Sequence, residues 1–299
     1  MDEPQFVETI SPDAAFAQLA ADARVSILRT LWEIDEYTAS FSDLREAVGM
    51  RDSGQFNYHL DKLIGTYVVK TDDGYELTEA GRQINGRIEA GVFTVDATIE
   101  PISLDPPCPV CGGNRTLIYE RETVIVECDS CSVTAEFGVP PSVLAGRDRT
   151  EIPDVVGRYL ITTIQRLVNG FCLYCDGAID RTVVPLETYA DGNSETLTPA
   201  IADRIDRLPL VELSCTRCGT TVRAGLSTVL LPTPEVAFWF VDRGIDVRDR
   251  AIWEYSGMHP AHQRILDHDP FRASATFHIE AASLTVVVDE NLQIHSIEA

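Results

Sequence analysis

In the segment SGQFNYHLDKLI, residues 53–64, the apolar positions Phe56, Leu60 and Leu63 stand at i, i+4 and i+7. That spacing predicts a helix with one packing side, and it leaves Gln55, Asn57, Tyr58 and Lys62 on the other sides, free to touch something else. A helix over 42–48 is expected just before it, capped by Ser42 and closed at Gly49, with Ser53 as the cap of the second helix. Residues 67–78 then read as a hairpin: Tyr67-Val68-Val69-Lys70, a turn at Thr71-Asp72-Asp73-Gly74, and Tyr75-Glu76-Leu77-Thr78. Upstream, residues 14–33 read as one or two helices, with Asp22 as a cap and Val25, Ile27, Leu28, Leu31 and Trp32 as core candidates. Downstream, Thr78 is the expected cap of a helix over 79–89, in which Ile84 and Ile88 are four apart.

Helix, turn, helix and hairpin follow one another in the order of a winged helix-turn-helix. After an extended stretch ending at Asp105-Pro106-Pro107, the pattern shortens to two residues: 116–119 and 123–126 suit a hairpin, and 132–137 a third strand. A helix is expected over 152–168 on the spacing of Val155, Tyr159, Ile161, Ile164, Leu167 and Val168. Residues 181–186 are strand-like, and 199–207, 235–243 and 248–255 helical. Three closing strands, 272–280, 283–288 and 292–297, read as an antiparallel meander. The fold class is therefore α+β: a winged helix-turn-helix over 1–91, then a β-rich domain over 92–299 carrying two four-cysteine zinc ribbons.

The ribbons rest on the cysteines. Cys108 and Cys111 are separated from Cys128 and Cys131 by sixteen residues, the spacing of a four-cysteine zinc ribbon, whose two knuckles meet one tetrahedral ion. Cys172 and Cys175 are separated from Cys215 and Cys218 by thirty-nine, so their pairing is less determined. A crossed assembly, in which Cys128 and Cys131 share an ion with Cys172 and Cys175, is open at this point, as are rubredoxin-like iron and a thioredoxin-type redox pair. Four Cys-x-x-Cys pairs consume all eight cysteines, which favours two metal sites. Four thiolates complete a tetrahedral shell and leave no position for substrate, so the role expected of Zn2+ is structural, and its removal is expected to unfold 108–218 while sparing the first 90 residues.

Other chemistry is thinner. Phe238, Trp239, Phe240 and Trp253 form an aromatic-rich group readable as core or as a ligand pocket. His259, His262 and His268 lack the i, i+4 spacing of a helical metal pair and read as solvated loop residues. No nucleophile stands with a base beside it and no phosphate loop occurs, so an enzyme is not expected.

The net charge of −23 bears on partners, because duplex DNA is bound through cationic contacts to phosphate. Only two lysines occur, Lys62 and Lys70, and acidic residues outnumber basic ones 47 to 24. This balance resembles that of extremely halophilic archaeal proteins, in which high internal salt screens self-repulsion, so the acidity reports the solvent rather than the partner. No stretch has the apolar length of a membrane span, and MDEPQFVETISP lacks the regions of a signal peptide. A cytoplasmic location without membrane contact is expected, where structural disulfides are unusual.

The run from Phe56 to Gly81, with Tyr58-His59-Leu60, Lys62-Leu63, Asp73-Gly74-Tyr75 and Leu77-Thr78-Glu79-Ala80-Gly81, resembles the winged-helix domain of ArsR-like transcription regulators, particularly the haloarchaeal branch. The resemblance covers residues 14–90 and implies a homodimer that places this helix in the major groove and the wing beside the backbone. No cysteine precedes Cys108, so thiol-based metal sensing in that domain is not implied. On this reading, Gln55 and Asn57 are candidates for an adenine edge, Tyr58 for phosphate or a thymine methyl, and Lys62 and Lys70 for phosphate, with Ser53 at the helix start. The function expected is a sequence-specific, double-stranded-DNA-binding regulator whose zinc-stabilised second domain senses a small-molecule effector or contacts a transcription protein. The alternative is a basal transcription factor-like protein acting by contact with RNA polymerase, because a winged helix followed by a zinc ribbon also resembles the archaeal general factor that helps polymerase open promoters; a winged helix used for protein docking is a further reading, since fold does not fix function.

Overall fold

The computed structural model describes residues 10–131, 134–186, 208–255 and 259–299. The chain divides into two compact units, residues 1–95 and 96–299, and the architecture is mixed α and β, with most of the sheet in the second. The expected helix over 199–207 lies outside the described residues.

In the first unit, α1 (Pro12–Ala17) starts on the Ser11 hydroxyl, which accepts from the Ala14 N–H. The next helix, α2 (Asp22–Glu33), follows extended Ala21; Asp22 is its first residue rather than its cap, and its charge there favours the positive end of the helix dipole. Ser40, not Ser42, caps α3 (Phe41–Val48), because Ser40 is the extended residue whose hydroxyl faces the Asp43 N–H, and Gly49 closes the helix at φ 77°. The same correction applies to α4 (Ser53–Asp61): Asp52 is extended, and its carboxylate accepts from the Gln55 N–H at 2.8 Å. A three-stranded sheet follows, in the order β1 (Thr38–Ala39), β3 (Tyr75–Leu77), β2 (Val68–Lys70). Thr78 caps α5 (Glu79–Glu89) through a bond from the Gly81 N–H.

The core of this unit is Ile27, Leu28 and Leu31 of α2, Leu44 of α3, Phe56 and Leu60 of α4, then Leu63, Tyr67, Val68, Tyr75 and Leu77. Trp32 and Ile84 pack at its margin. Two polar devices tie α5 down. The buried Asn85 amide donates to the Leu28 carbonyl at 3.1 Å, and Gly81 lies so near Tyr67 that an added Cβ would meet its carbonyl oxygen at 2.3 Å. The glycine is thus required by the close approach of two backbones.

Among its described residues, the second unit holds three antiparallel sheets. The first runs β4 (Ile99–Leu104), β5 (Arg115–Glu120), β6 (Thr123–Cys128), β7 (Thr134–Gly138). The second runs β8 (Ile179–Pro185), β9 (Pro209–Cys215), β10 (Thr221–Gly225). The last is a meander of β11 (Gln263–His268), β12 (Phe271–Ile279), β13 (Ala282–Val288) and β14 (Ile294–Glu298), one strand more than the alternation pattern predicts. Among the described residues, four helices complete the unit: α6 (Pro141–Leu144), α7 (Ile152–Val168), α8 (Leu226–Leu230) and α9 (Pro234–Val241). No described helix is long and apolar enough to cross a membrane.

One continuous apolar core joins all three sheets to the inner face of α7, which contributes Val155, Val156, Ile161, Ile164 and Leu167. The helix expected over 248–255 shrinks to a single turn, Ile252–Glu254. Its cause is Ala251, which is extended and pressed against Gly157 of α7; a Cβ on Gly157 would meet the Ala251 Cα at 2.7 Å. Trp239, Phe240, Trp253 and Tyr255 belong to the core, with Phe240 edge-on to Tyr255 and Phe277, whereas Phe238 points to solvent.

Candidate metal centres and candidate nucleic-acid interface

Each Cys-x-x-Cys pair sits where a strand ends or begins, so its two sulfurs are aimed by the sheet that carries it. Cys128 is the last residue of β6 and Cys215 the last of β9, while Cys108 and Cys172 precede β5 and β8. The sulfurs gather without crossing: Cys108, Cys111, Cys128 and Cys131 form one group, and Cys172, Cys175, Cys215 and Cys218 the other, each within 4.8 Å. In the first group Sγ of Cys108 and Cys131 are 3.7 Å apart, and Sγ of Cys111 and Cys128 3.5 Å. The second repeats these values, 3.7 Å for Cys172 and Cys218 and 3.5 Å for Cys175 and Cys215. A disulfide needs about 2 Å. A tetrahedral thiolate shell around an ion with bonds of about 2.3 Å has edges of about 3.8 Å, so both groups have the dimensions of a four-thiolate metal site.

Backbone amides add the polarity such a site needs. The Gly113 and Ser130 N–H groups donate to Cys111 and Cys128, and those of Tyr174 and Arg217 to Cys172 and Cys215. Hydrogen bonds with the Thr220 side chain and then its backbone pull the Cys218 thiol down to about 6, favouring the thiolate that binds metal. Arg115 was not singled out from sequence. Its buried guanidinium donates twice to the Pro106 carbonyl, at 3.0 and 2.6 Å, and so anchors the loop that delivers Cys108. Burial lowers its pKa, and the nearby Cys108 and Cys128 oppose that shift, an arrangement suited to a cation beside thiolates.

The two groups are copies of one module. The Cys108 N–H bonds the Gly113 carbonyl, as Cys172 bonds Gly177. Asp129 N–H bonds Asn114, as Thr216 bonds Ala178. A Cβ on Gly113 would strike Ser130, and one on Gly177 would strike Arg217 at the matching position. In both copies two strands bring the knuckles together, a third strand follows, and a short helix, α6 or α8, closes the unit. The unequal spacings of sixteen and thirty-nine residues hide this likeness in the sequence.

The other candidates lie in the first unit. Phe56, Leu60 and Leu63 are fully buried, while Ser53, Gln55, Asn57, Tyr58 and Lys62 are exposed on or beside α4, and Lys70 is exposed on β2. Lys62 Nζ lies 5.7 Å from the Tyr58 ring centre and Lys70 Nζ 5.8 Å from that of Tyr75. The Asn57 amide donates to Asp61 at 2.8 Å. His59 is half-buried, edge-on to Tyr58. Of the three histidines expected to be solvated loop residues, His259 is exposed in a bend, whereas His268, also exposed, ends β11, and His262 packs on His278 of β12 with ring centres 4.4 Å apart.

A family model described as domain of unknown function DUF7351 matches residues 105–294, and one described as domain of unknown function DUF7347 matches residues 12–88. No curated protein and no solved structure matches the chain.

Proposed function

The chain belongs to the DUF7351 family, and from that premise we propose, on the chemistry of its own residues, that it is a dimeric, sequence-specific DNA-binding transcription regulator of ArsR-like type. The first unit is read as a winged helix-turn-helix in which α4 enters the major groove and the β2–β3 hairpin lies beside the backbone. The observation that carries this reading is the division of α4: one side is spent on the core, and the other presents an amide at Gln55, an amide at Asn57, a phenol and an ammonium to solvent. Gln55 and Asn57 would read adenine edges, and Lys62 and Lys70 would meet phosphate.

Two cationic phosphate contacts per protomer are few, so affinity should depend on salt with a slope of only roughly −4 for a dimer, a shallow dependence suited to a salt-rich cell. Both cysteine groups are read as structural zinc sites that shape the second unit to bind an effector or a transcription protein. The test selects DNA from a random pool with the full-length protein at high potassium chloride. A defined inverted motif is expected, and the doubly altered protein Gln55→Ala, Asn57→Ala should lose that motif with its melting unchanged. Retention of the same motif by the altered protein ends the regulator reading.

A further inference from the structure

The two cysteine modules share their strand layout and the backbone bonds that close each knuckle but differ at one ligand, and the difference is in access. Cys131 is buried, 2% exposed, whereas Cys218, at the same place in the second module, is exposed. The second of the two residues between the first pair of cysteines differs in the same direction. Val110, 8% exposed, packs with Cys108, Cys128 and Cys131 into a small cluster of its own; its counterpart Tyr174 is 73% exposed and turned to solvent. The first knuckle is also laced shut by the Asp129 carboxylate, which accepts from the Asn114 N–H at 3.1 Å, the Asn114 amide at 2.9 Å and the Ser130 hydroxyl at 2.6 Å. At the matching place in the second, Thr216 has only its hydroxyl and N–H near the Ala178 carbonyl.

We propose that Cys218 is a modification site through which a peroxide opens the second metal centre and releases its ion, while the first centre keeps its own. The Cys218 thiolate attacks one oxygen of hydrogen peroxide, the O–O bond breaks, and sulfenic acid and hydroxide form. The Cys172 thiolate, 3.7 Å away, then attacks the Cys218 sulfur, forming the disulfide and expelling a second hydroxide. Two electrons pass from the sulfurs to the peroxide, two protons convert the hydroxides to water, and the ion leaves because only Cys175 and Cys215 still hold it. Thiol reductant and fresh metal would restore the site.

This inference rests on the reading of both cysteine groups as metal sites. The test takes full-length protein loaded with zinc, adds hydrogen peroxide, follows release with a colorimetric zinc indicator, and maps disulfides by mass spectrometry. About half of the zinc should leave early, roughly tenfold faster than the rest, with Cys172 joined to Cys218. Cys218→His keeps a ligand of zinc without the thiol and should bring the fast phase down to the slow one, while Cys131→His should leave the fast phase unchanged. Equal release from both centres, or early disulfides among Cys108, Cys111, Cys128 and Cys131, overturns the proposal. If Cys218→His binds one ion only, the disulfide map of the unaltered protein decides on its own. Loaded protein that holds no zinc refutes the metal reading itself, a result distinct from equal release.

Discussion

The unit over residues 10–95 is held by side chains that exclude water, whereas the first cysteine knuckle of the second unit has only a small cluster of its own, and the second knuckle joins the main core through Cys172 and Cys215. Phe56, Leu60, Leu63 and Leu77 of the first are buried to about 1% exposure or less. Around the first cysteine group the apolar cluster is the cysteines and Val110, separate from the core of α7 and the sheets. The difference teaches where a bound ion matters. The sheets of the second unit have their own core, so removal of a bound ion is expected to loosen the knuckles more than the sheets between them, a narrower dependence than unfolding of the whole of 108–218.

The largest effect should come from metal removal. Strong chelation under reducing conditions should abolish hydrogen-exchange protection at the knuckles, because structural zinc contributes on the order of 10 kcal/mol to the segments it organises. Amides of α2 to α5 should keep theirs; loss of protection there would erase the contrast. Next in size is Leu60→Ala, which should destabilise the first unit by about 3 kcal/mol in urea unfolding and leave the metal content unaltered. Thr78→Ala removes the cap of α5 and a bond to the Thr66 carbonyl, and should cost about 1 kcal/mol in the same measurement. Gln55→Ala with Asn57→Ala should shift stability by less than about 0.5 kcal/mol, since both side chains face solvent.

The smallest effect is electrostatic. Hydrogen bonds from the Arg248 side chain and N–H hold Asp246 down at about 2, below its usual 3.8. A carboxylate with a lowered folded value stabilises above the unfolded value, so this contribution is present above pH 3.8 and lost as pH falls through about 2. An NMR titration should find Asp246 at about 2, rising toward 3.8 in Arg248→Ala. An unshifted Asp246 in that variant would show that the pair does not form.

Local patterns were legible and pairings between distant residues were not. The helix α4 is readable because i, i+4, i+7 spacing is a property of eight neighbouring residues, and the hairpin after it because Asp72-Asp73-Gly74 supplies its turn. The cap Thr78 was placed correctly, and the other three were misplaced by one or two residues. Asp52 and Ser53, or Ser40 and Ser42, have interchangeable chemistry, and only the residue with extended backbone performs the task. Strands β4 and β11 escaped notice because IEPISL and QRILDH do not alternate cleanly; β5 and β12 draw them into their sheets. The helix expected at 248–255 was lost to the contact of Ala251 with Gly157, nearly a hundred residues away.

The sequence by itself determined that sulfur chemistry would come in Cys-x-x-Cys pairs and that α4 would have an inner and an outer side, because both follow from spacing within a few residues. Tertiary structure alone excluded the crossed assembly that the spacing left open, and decided that the two centres are copies and that Val110 is buried at one while Tyr174 is exposed at the other. Those outcomes depend on strand register and on the direction a side chain takes once its neighbours are in place, and neither is set by residues adjacent in the chain.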